Sequence, residues 1–541
     1  MSALFKGIGP IVSLCTLVLC FWQSNGHAEL INGEVLADQY SPGGIVNVGQ
    51  LIAALDAEVA ARASGEPGAA LPSQKIPIRF TTAAYRLTEP LVLKHYDRVK
   101  LSGDGMNASR IELDDDFYTE YLNNSANKTK RVAIVMQECT FSKIESLQLN
   151  GRASEVDHPD SDEHYPGTYG ILLSSCNDCD LYKVRTANLG GNSSTALAGH
   201  IVISAVEDGE PLQLSMPESL RGFTPVYSDG STRGAGSERN TVRKCDLLDD
   251  HPKSRFAAFG LRLKSSWRIG RADNEFAYPV TNTEVTQTDF IGSLAVGSRL
   301  AGGFIDNALE IGGPGCTGNE VGGENLGCVF MNCSQAPMEC DKGARFNKFT
   351  HNLVDGVHLA GNPMHSNLSK VYGRYTVAMR DAGLRGGHNN GVHETRYAKG
   401  NVFNHNTVIN VEGVGPRTGL AMVTLSRDAS FFDNDIDWLS IQVVHPVTAP
   451  SLNPAVIVAT GFDQIDVENL RFKDNTPLPE SSVYPIDMVR TLVRQDEVGY
   501  DDALPNNQPQ RVVMDIHVRH LPDGNGSGGS SGSGGNSSSG L

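Results

Sequence analysis

Short strand-like runs recur along most of the chain, and very little sequence separates many of them. The segments 139–151 (CTFSKIESLQLNG), 347–357 (NKFTHNLVDGV) and 401–411 (NVFNHNTVINV) carry apolar residues at roughly alternate positions. Parallel strands joined by helices need longer connections, and a hairpin meander would show regular Asn-Gly turns. A supersecondary unit that is stacked many times, so that its apolar faces join into one core, fits the pattern.

Two of these segments match each other position by position. The identical pairs are Asn347/Asn401, Phe349/Phe403, His351/His405, Asn352/Asn406, Val354/Val408 and Val357/Val411. Such a repeat predicts that the two segments occupy equivalent places on stacked coils. It also predicts that asparagine side chains form ladders at the bends between strands.

Residues 84–480 resemble the pectate-lyase-like superfamily of right-handed parallel β-helices, through YRLTEPLVLKHYDRVKLSGDG and the repeats above. The resemblance implies an all-β fold, a single right-handed parallel β-helix with an N-terminal capping α-helix. Residues 46–61 predict that helix, because Leu51, Leu55 and Val59 fall on one face. The superfamily contains lyases, hydrolases, epimerases, esterases and phage fibres, so the resemblance does not decide the activity.

The 541 residues divide into four predicted parts. Residues 1–28 have the features of a signal peptide, with a basic start, a short apolar run and small residues at the cleavage site. Residues 29–83 form an N-terminal segment with the capping helix, 84–523 the β-helix domain and 524–541 a flexible Gly/Ser-rich tail. The signal predicts a secreted protein, extracellular or periplasmic, and no later segment is predicted to span a membrane.

Eight of the ten cysteines follow the predicted signal peptide. An even number of cysteines in an exported protein predicts disulfide bonds, with Cys316–Cys328 and Cys333–Cys340 as the short-loop pairs. Zinc binding by Cys176 and Cys179 is the alternative, although a structural zinc site needs further ligands.

Charge is distributed unevenly along the sequence. The whole chain has a net charge of −17, whereas residues 341–405 have a net charge of +5 and hold six of the fifteen histidines. A basic, histidine-rich band on an acidic solenoid predicts a groove that binds an anionic polysaccharide. Nucleic acid is not expected as a partner, because the basic band lacks the interleaved aromatic residues of a base-stacking surface.

A coil of roughly 21–25 residues, the length that the resemblance implies, would stack parts of this band. His351, Tyr372 and His393 are each 21 residues apart, and Arg374 and Arg396 are 22 apart. The sequence therefore predicts a cluster of proton-transferring and cationic side chains on one face.

Such a cluster suits β-elimination from a uronic acid, in which a base removes the proton next to a carboxylate that a cation stabilises. The catalytic candidates are the side chains that can transfer protons: His351, Tyr372, His393 and Lys370. The substrate-binding candidates are the two guanidinium groups that fit a carboxylate: Arg374 and Arg396. A C5-epimerase would use the same residues.

Carboxylates support a second interpretation. Asp306 and Glu310 could serve as the acid and base of a glycoside hydrolase, and Asp249-Asp250-His251 is a further candidate. A calcium site is also open, with hard oxygen ligands in one acidic loop: Asp157, Asp160, Asp162 and Glu163. The favoured prediction is a secreted polysaccharide lyase. The alternatives are a hydrolase of an acidic or sulfated glycan and a non-catalytic surface or adhesive β-solenoid.

Overall fold

The computed structural model describes the following residues: 34–65, 71, 73–81, 84–117, 132–152, 168–189, 199–205, 214–215, 219–220, 236–249, 259–265, 279–292, 303–304, 307–358, 375–383, 398–413, 417–424, 426–437, 440–443, 455–460, 464–472, 487–491 and 513–519. These residues are nearly all in parallel β-structure, which confirms the predicted all-β class.

Two large parallel sheets account for most of the strands. The 11-stranded sheet consists of Leu91–Lys94, Val132–Gln137, Tyr169–Ser174, Gly199–Ser204, Phe259–Lys264, Asn307–Gly312, Met338–Asp341, Thr376–Ala382, Thr418–Thr424, Ala455–Thr460 and Asp487–Thr491. The 22-stranded sheet consists of Val35–Leu36, Ile76–Phe80, Ala84–Leu87, Val99–Gly103, Arg110–Leu113, Lys143–Asn150, Asp180–Ala187, Thr241–Arg243, Asp246–Asp249, Glu284–Thr286, Asp289–Gly292, Glu320–Gly322, Val329–Ser334, Lys348–Thr350, Leu353–His358, Val402–Asn404, Thr407–Gly413, Ala429–Phe432, Asp435–Ile436, Ile441–Val443, Gln464–Phe472 and Val513–Arg519.

Smaller elements complete the described secondary structure. The short parallel strands are Ser237–Glu238, Val280–Thr281, Cys316–Thr317, Ala398–Lys399 and Ser426–Arg427, and the antiparallel pair is Leu214–Ser215 with Ser219–Leu220. The helices are the α-helix Val48–Ser64 and the 3-10 turns Ala37–Tyr40 and Pro42–Gly44.

One coil shows how the chain connects these sheets. It runs from Thr376–Ala382 in the 11-stranded sheet through Ala398–Lys399 to Val402–Asn404 and Thr407–Gly413 in the 22-stranded sheet, and then re-enters the 11-stranded sheet at Thr418–Thr424. Each strand pairs in parallel with its counterpart on the next coil. The described part of the chain is therefore a parallel β-solenoid with three faces. The right-handed coil of the expected β-helix stays a prediction.

The predicted pairing of residues 347–357 with 401–411 is confirmed. Phe349 is the register partner of Phe403, and their rings stack with centroids 5.0 Å apart. Asn347 Nδ2 donates to Asn401 Oδ1 at 3.1 Å, and Asn352 Nδ2 donates to Asn406 Oδ1 at 3.0 Å. Buried asparagines thus form two ladders. Their side chains form hydrogen bonds with backbone groups at the bends, which strand pairing does not satisfy.

The bends themselves require an unusual backbone conformation. His351 and His405 adopt φ angles of +57° and +54°, in the left-handed region. Each histidine directly precedes a ladder asparagine, so the chain turns at the histidine and the next side chain points inward. The motif His-Asn at 351–352 and 405–406 is therefore a signature of the bend.

The expected coil length of 21–25 residues is wrong at this point. Asn352 stacks on Asn406, which follows it by 54 residues, and positions 372 and 393 fall within that same coil. Coil lengths elsewhere include 61 residues between Asp180 and Thr241 and 28 between Asn406 and Asn434. Insertions between strands lengthen a coil without changing its register. The spacing of residues in the sequence therefore does not predict which of them stack on neighbouring coils.

The expected disulfide bonds are absent from the described residues, where all eight cysteines are free and buried. Cys333 lies in the 22-stranded sheet and Cys340 in the 11-stranded sheet, so the two cysteines lie on different sides of one coil. Cys316 Sγ lies 3.5 Å from the Leu263 carbonyl and Cys328 Sγ 3.4 Å from that of Val285, each on a neighbouring coil. These cysteines act as small apolar core residues.

The predicted N-terminal helix is present over Val48–Ser64. Asn47 Oδ1 accepts a hydrogen bond from Gln50 N at 3.0 Å, and Gly65 ends the helix with a φ of +68°. Leu51 and Leu55 are fully buried in the main core, next to the first strands. Its role as a cap stays a prediction. The described chain contains no helix with the length and apolar character of a membrane span.

Phe403 provides a test of the stacked core, because its ring lies between Phe349 and Phe431 and is fully buried. We expect Phe403→Ala to lower the free energy of unfolding by about 3 to 5 kcal/mol, since it leaves a cavity in the stack. Denaturant unfolding measures the change. Phe346→Ala, at an exposed bend, is the control and should change stability little; equal losses in both variants would contradict a continuous aromatic core.

The free thiols allow a second test. After denaturation without reductant, an alkylating agent should modify all eight cysteines from Cys139 to Cys340, as counted by peptide mass spectrometry. In the native protein the same reagent should react slowly, because burial raises the pKa of Cys245, Cys316 and Cys328 to about 12. Unmodified pairs after denaturation would show that disulfide bonds form after all.

Candidate active site

Side chains on the outer face of the 11-stranded sheet form a ladder that changes character along the solenoid. Three apolar residues, Val135, Leu172 and Val202, occupy it on the first coils, and Met422 and Val458 occupy it on later coils. Between these two groups the ladder consists of four charged residues on adjacent strands: Arg262, Glu310, Glu339 and Arg380. We call these four residues the charged row.

Local sequence explains why these charges point outward. Arg262 lies between Leu261 and Leu263, and Glu310 lies between Leu309 and Ile311. The leucines and the isoleucine belong to the main core, and alternate residues of a strand point to opposite faces. The apolar neighbours therefore hold each charged side chain on the outer face.

Each carboxylate of the charged row has its own arginine. Arg262 Nη2 donates to Glu310 Oε1 at 2.8 Å, and Arg380 Nη1 forms an ion pair with Glu339 Oε1. All four residues are at most 6% exposed. Because Glu310 and Glu339 are direct register partners, their negative charges would repel each other strongly without these arginines.

Aromatic rings lie against the arginines at both ends of the row. The Arg262 guanidinium is 5.1 Å from the Phe259 ring centroid, and the Arg380 guanidinium is 4.6 Å from that of Tyr375. The Tyr375 hydroxyl also accepts from Arg380 Nη1 at 3.1 Å and lies 3.4 Å from Glu339 Oε2. These contacts fix the planes of both guanidinium groups.

A second set of groups lies two residues further along the same strands. Lys264 is the register partner of Gly312, and Gly312 that of Asp341. Lys342 Nζ approaches Glu310 Oε1 at 3.4 Å. A Cβ atom at position 312 would lie 2.6 Å from that oxygen, so the glycine leaves room for the carboxylate.

Burial and neighbouring charges shift the protonation equilibria of this site in opposite directions. Burial favours the neutral form of Glu310, but Arg262, Lys342 and Lys264 together hold its pKa well below the ordinary value. Burial lowers the pKa of Lys264 well below its usual range, and the neighbouring Lys342 and Arg262 lower it further. The site thus combines an ionised carboxylate with an amine that gives up its proton easily.

Asp381 follows the charged row but points to the inner face. Its carboxylate accepts hydrogen bonds from Ser426 Oγ and, at 2.8 Å, from Asn401 Nδ2, at the end of one asparagine ladder. Burial raises the pKa of Asp381 to about 7, in spite of these hydrogen bonds. Its contacts show a structural role in the core.

The sequence-predicted cluster is not brought together by the described structure. His351 lies on an exposed bend of the 22-stranded sheet, where it stacks on His405, and burial together with His405 lowers its pKa. The other predicted residues lie outside the described residues: Tyr372, His393, Lys370, Arg374 and Arg396. Their proposed roles stay predictions.

Of the acidic residues predicted for a hydrolase, only some lie among the described residues. Glu310 belongs to the charged row, whereas Asp306, Asp250 and His251 lie outside the described residues. Asp249 is buried and accepts a hydrogen bond from Phe304 N at 2.6 Å, as a structural residue would. The sequence did not point to Arg262, Glu339 or Arg380. A lone charge between apolar strand residues was a usable signal for Arg262 and Glu339, whereas Arg380 is followed by the charged Asp381.

Metal binding finds no support among the residues that the structure describes. No group of three or more His, Cys, Asp or Glu side chains in these ranges could hold an ion. The acidic loop with Asp157 lies outside them, so the calcium site stays a prediction.

Comparison with known proteins leaves the family open. No protein-family model matches the chain, and no curated protein does. Lacto-N-biosidase from Eubacterium ramulus is 12% identical, with a TM-score of 0.49, over 84% of this chain and 63% of that one. PfbA, a surface adhesin of Streptococcus pneumoniae, is 12% identical, with a TM-score of 0.47, over 90% and 91% of the two chains. Alginate lyase from Paenibacillus is 11% identical, with a TM-score of 0.37, over 72% and 95%.

These similarities are too weak to assign a superfamily or an activity. The chain spans 63% of the length of the lacto-N-biosidase.

The carboxyl group of Asp381 makes stability depend on pH. Its pKa is about 7 in the folded protein against 3.8 ordinarily, so the folded state holds the proton where the unfolded state has released it. The contribution of Asp381 to the free energy of unfolding should therefore fall by a few kcal/mol as pH rises from about 4 to about 7, while buried His200, with a pKa lowered to about 3, contributes in the opposite direction. Asp381→Asn should abolish this fall, whereas Asp428→Asn, at an exposed bend, should keep it. Parallel pH profiles for the wild type and Asp381→Asn would contradict the assignment.

Proposed function

We propose that the protein is an enzyme that cleaves a glycan at the charged row, and that hydrolysis is the chemistry the row supports best. The observation that carries this proposal is the direct register of Glu310 with Glu339 on adjacent strands, with both side chains on the outer face. Glycoside hydrolases generally use a pair of carboxyl groups on either side of the scissile bond.

The spacing favours a retaining mechanism. The two backbones lie about 4.8 Å apart, so side chains that project in parallel can bring their carboxyl groups to the roughly 5–5.5 Å of retaining enzymes. Glu310 is held ionised by three cations and would attack the anomeric carbon. Glu339 has a single arginine and lies directly beside that negative charge, so it would be the carboxyl group that carries a proton and passes it to the leaving oxygen. Water would then cleave the glycosyl–enzyme bond, with Glu339 taking its proton.

Stability alone does not account for the charged row. Buried ion pairs are costly to desolvate, and well-packed apolar residues often replace them without loss of stability. The same ladder position holds Val202 on the preceding coil and Met422 on the following one. An apolar residue is thus compatible with this site, so charge there points to function.

An acidic or sulfated glycan is the substrate class we propose. Lys342 and Arg380 of the site belong to the basic band of residues 341–405, which contrasts with the net charge of −17 of the whole chain. Local positive charge on an acidic protein attracts an anionic polymer to that region. Secretion, as the sequence predicts, would place the enzyme where such polymers occur.

β-Elimination is the second candidate, and Lys264 is the observation in its favour. An amine with a strongly lowered pKa is a suitable base for the proton next to a uronate carboxylate. Tyr375, in contact with Glu339 and Arg380, could return a proton to the leaving oxygen. The residues that the sequence assigned to this reaction, among them Tyr372 and His393, remain candidates as well.

Replacement of Glu310 tests the proposed hydrolase. We expect Glu310→Gln to lower the rate of glycan cleavage by about 10³-fold or more, because the amide cannot act as the nucleophile. Reducing-end release from alginate, polygalacturonate, chondroitin sulfate and carrageenan measures the rate, and thermal unfolding checks that the variant folds. Glu238→Gln, at an exposed ion pair with Arg239 on the short strand Ser237–Glu238, is the matched control and should keep full activity.

The product distinguishes the two chemistries. A hydrolase should release reducing ends without ultraviolet absorbance, and NMR should show the original anomeric configuration in the first product. Absorbance from an unsaturated uronate would instead establish elimination, and Lys264→Met should then abolish it. Full activity of both Glu310→Gln and Lys264→Met would contradict catalysis at the charged row.

A further inference from the structure

A patch on the 22-stranded sheet has the features of a second glycan-binding site, separate from the charged row. It comprises three exposed aromatic rings at two bends: Phe346, His351 and His405. We propose that this aromatic surface binds the acidic glycan chain without acting on it chemically. The inference rests on the proposed function for the identity of the ligand only.

Phe346 is the main element of the aromatic surface. It is 58% exposed and has a φ of +54°, a left-handed conformation that is unfavourable for a bulky side chain. The Cδ1 and Cε1 atoms of its ring lie next to Gly400 on the next coil, where a Cβ atom would come within 2.7 Å of them. The same left-handed bend recurs at Arg239, Asn282 and Asp428 on other coils, so the backbone does not require an aromatic residue here. A large apolar ring that faces solvent gains little from burial, so its presence at this bend suggests a binding role.

Phe141 occupies the corresponding bend on an earlier coil and provides an internal comparison. It has a similar φ of +48° and is 44% exposed. However, the Arg98 guanidinium lies 4.7 Å from its ring centroid and covers one face. Within the described structure no cation lies over Phe346, so its ring can accept the face of a sugar.

The two histidines extend the surface along the coil. Their ring centroids are 4.8 Å apart on adjacent coils, and His351 Nδ1 is fixed by a hydrogen bond with Thr350 Oγ1 at 2.8 Å. His351 follows Phe346 by five positions, so at most about 18 Å of backbone joins the two bends. A chain of a few sugar rings can therefore contact both.

Two lysines near Phe346 favour an acidic glycan at that bend, whereas the carboxylates of Glu320 and Glu324 act on His351. Lys348 lies between the two bends and pairs with Glu320 at 3.0 Å, with both side chains nearly half exposed. Such exposed pairs contribute little, so a carboxylate or sulfate of the ligand can replace Glu320. Lys399 lies directly before Gly400, on the coil against which Phe346 packs.

Affinity electrophoresis of the full chain through gels that contain a polysaccharide tests the surface. The probes are alginate, polygalacturonate and chondroitin sulfate, with a neutral β-glucan for comparison. We expect at least one acidic polymer to retard the wild type more than the neutral one does. Phe346→Ala should weaken the apparent affinity about five-fold or more, as truncation of an aromatic contact residue does. Phe141→Ala should leave it unchanged, and Phe346→Trp should preserve it.

Three results would overturn the inference: equal retardation of Phe346→Ala and wild type, equal weakening by Phe141→Ala, or no retardation by any acidic polymer. The Glu310→Gln variant separates this inference from the proposed function. If that variant cleaves as fast as the wild type while Phe346→Ala still weakens retardation, the surface stands and the charged row fails as the catalytic site. If Glu310→Gln is inactive and Phe346→Ala binds normally, the reverse holds.

Discussion

The structure depends on hydrogen bonds that join each coil to the next in a fixed register. Asn347 shows the principle, because its side chain donates to the Cys316 carbonyl and to Asn401 while it accepts from Asn319. Buried amides of this kind cannot form hydrogen bonds with water. A slip in register would therefore leave them without partners, at a cost of a few kcal/mol. Segments of very different length can then be inserted between strands, because the entropic cost of closing a loop rises only slowly with its length.

The same register creates the candidate active site. Inward positions are committed to the apolar core, so functional variation is confined to outward positions such as those of Arg262, Glu310, Glu339 and Arg380. The register places the two glutamates on adjacent strands about 4.8 Å apart, with no need for a specialised loop. Because like charges at this spacing repel, each carboxylate comes with an arginine, and the arginines are oriented by Phe259 and Tyr375.

A solenoid of this kind offers separate outer faces for separate tasks. The charged row lies on the 11-stranded sheet and is buried, as a site that strengthens electrostatic interactions would be. The aromatic surface lies at the bends of the 22-stranded sheet and is exposed. The two proposed sites lie on different sheets, so a substitution at one can change that site without altering the other.

The sequence by itself determined the all-β class, the N-terminal helix, the asparagine ladders and the pairing of residues 347–357 with 401–411, since alternation and identity are visible in a linear chain. Only the tertiary structure decided which residues are neighbours at the site. His351 was expected beside Tyr372, but its stacked partner is His405, because the length of an insertion does not affect register. The charged row likewise comes from four segments that share no sequence motif. The cysteines were expected to form disulfide bonds, but their side chains point inward and pack as free thiols in the core. Register is set by hydrogen bonds between strands far apart in sequence, and spacing along the chain carries no record of it.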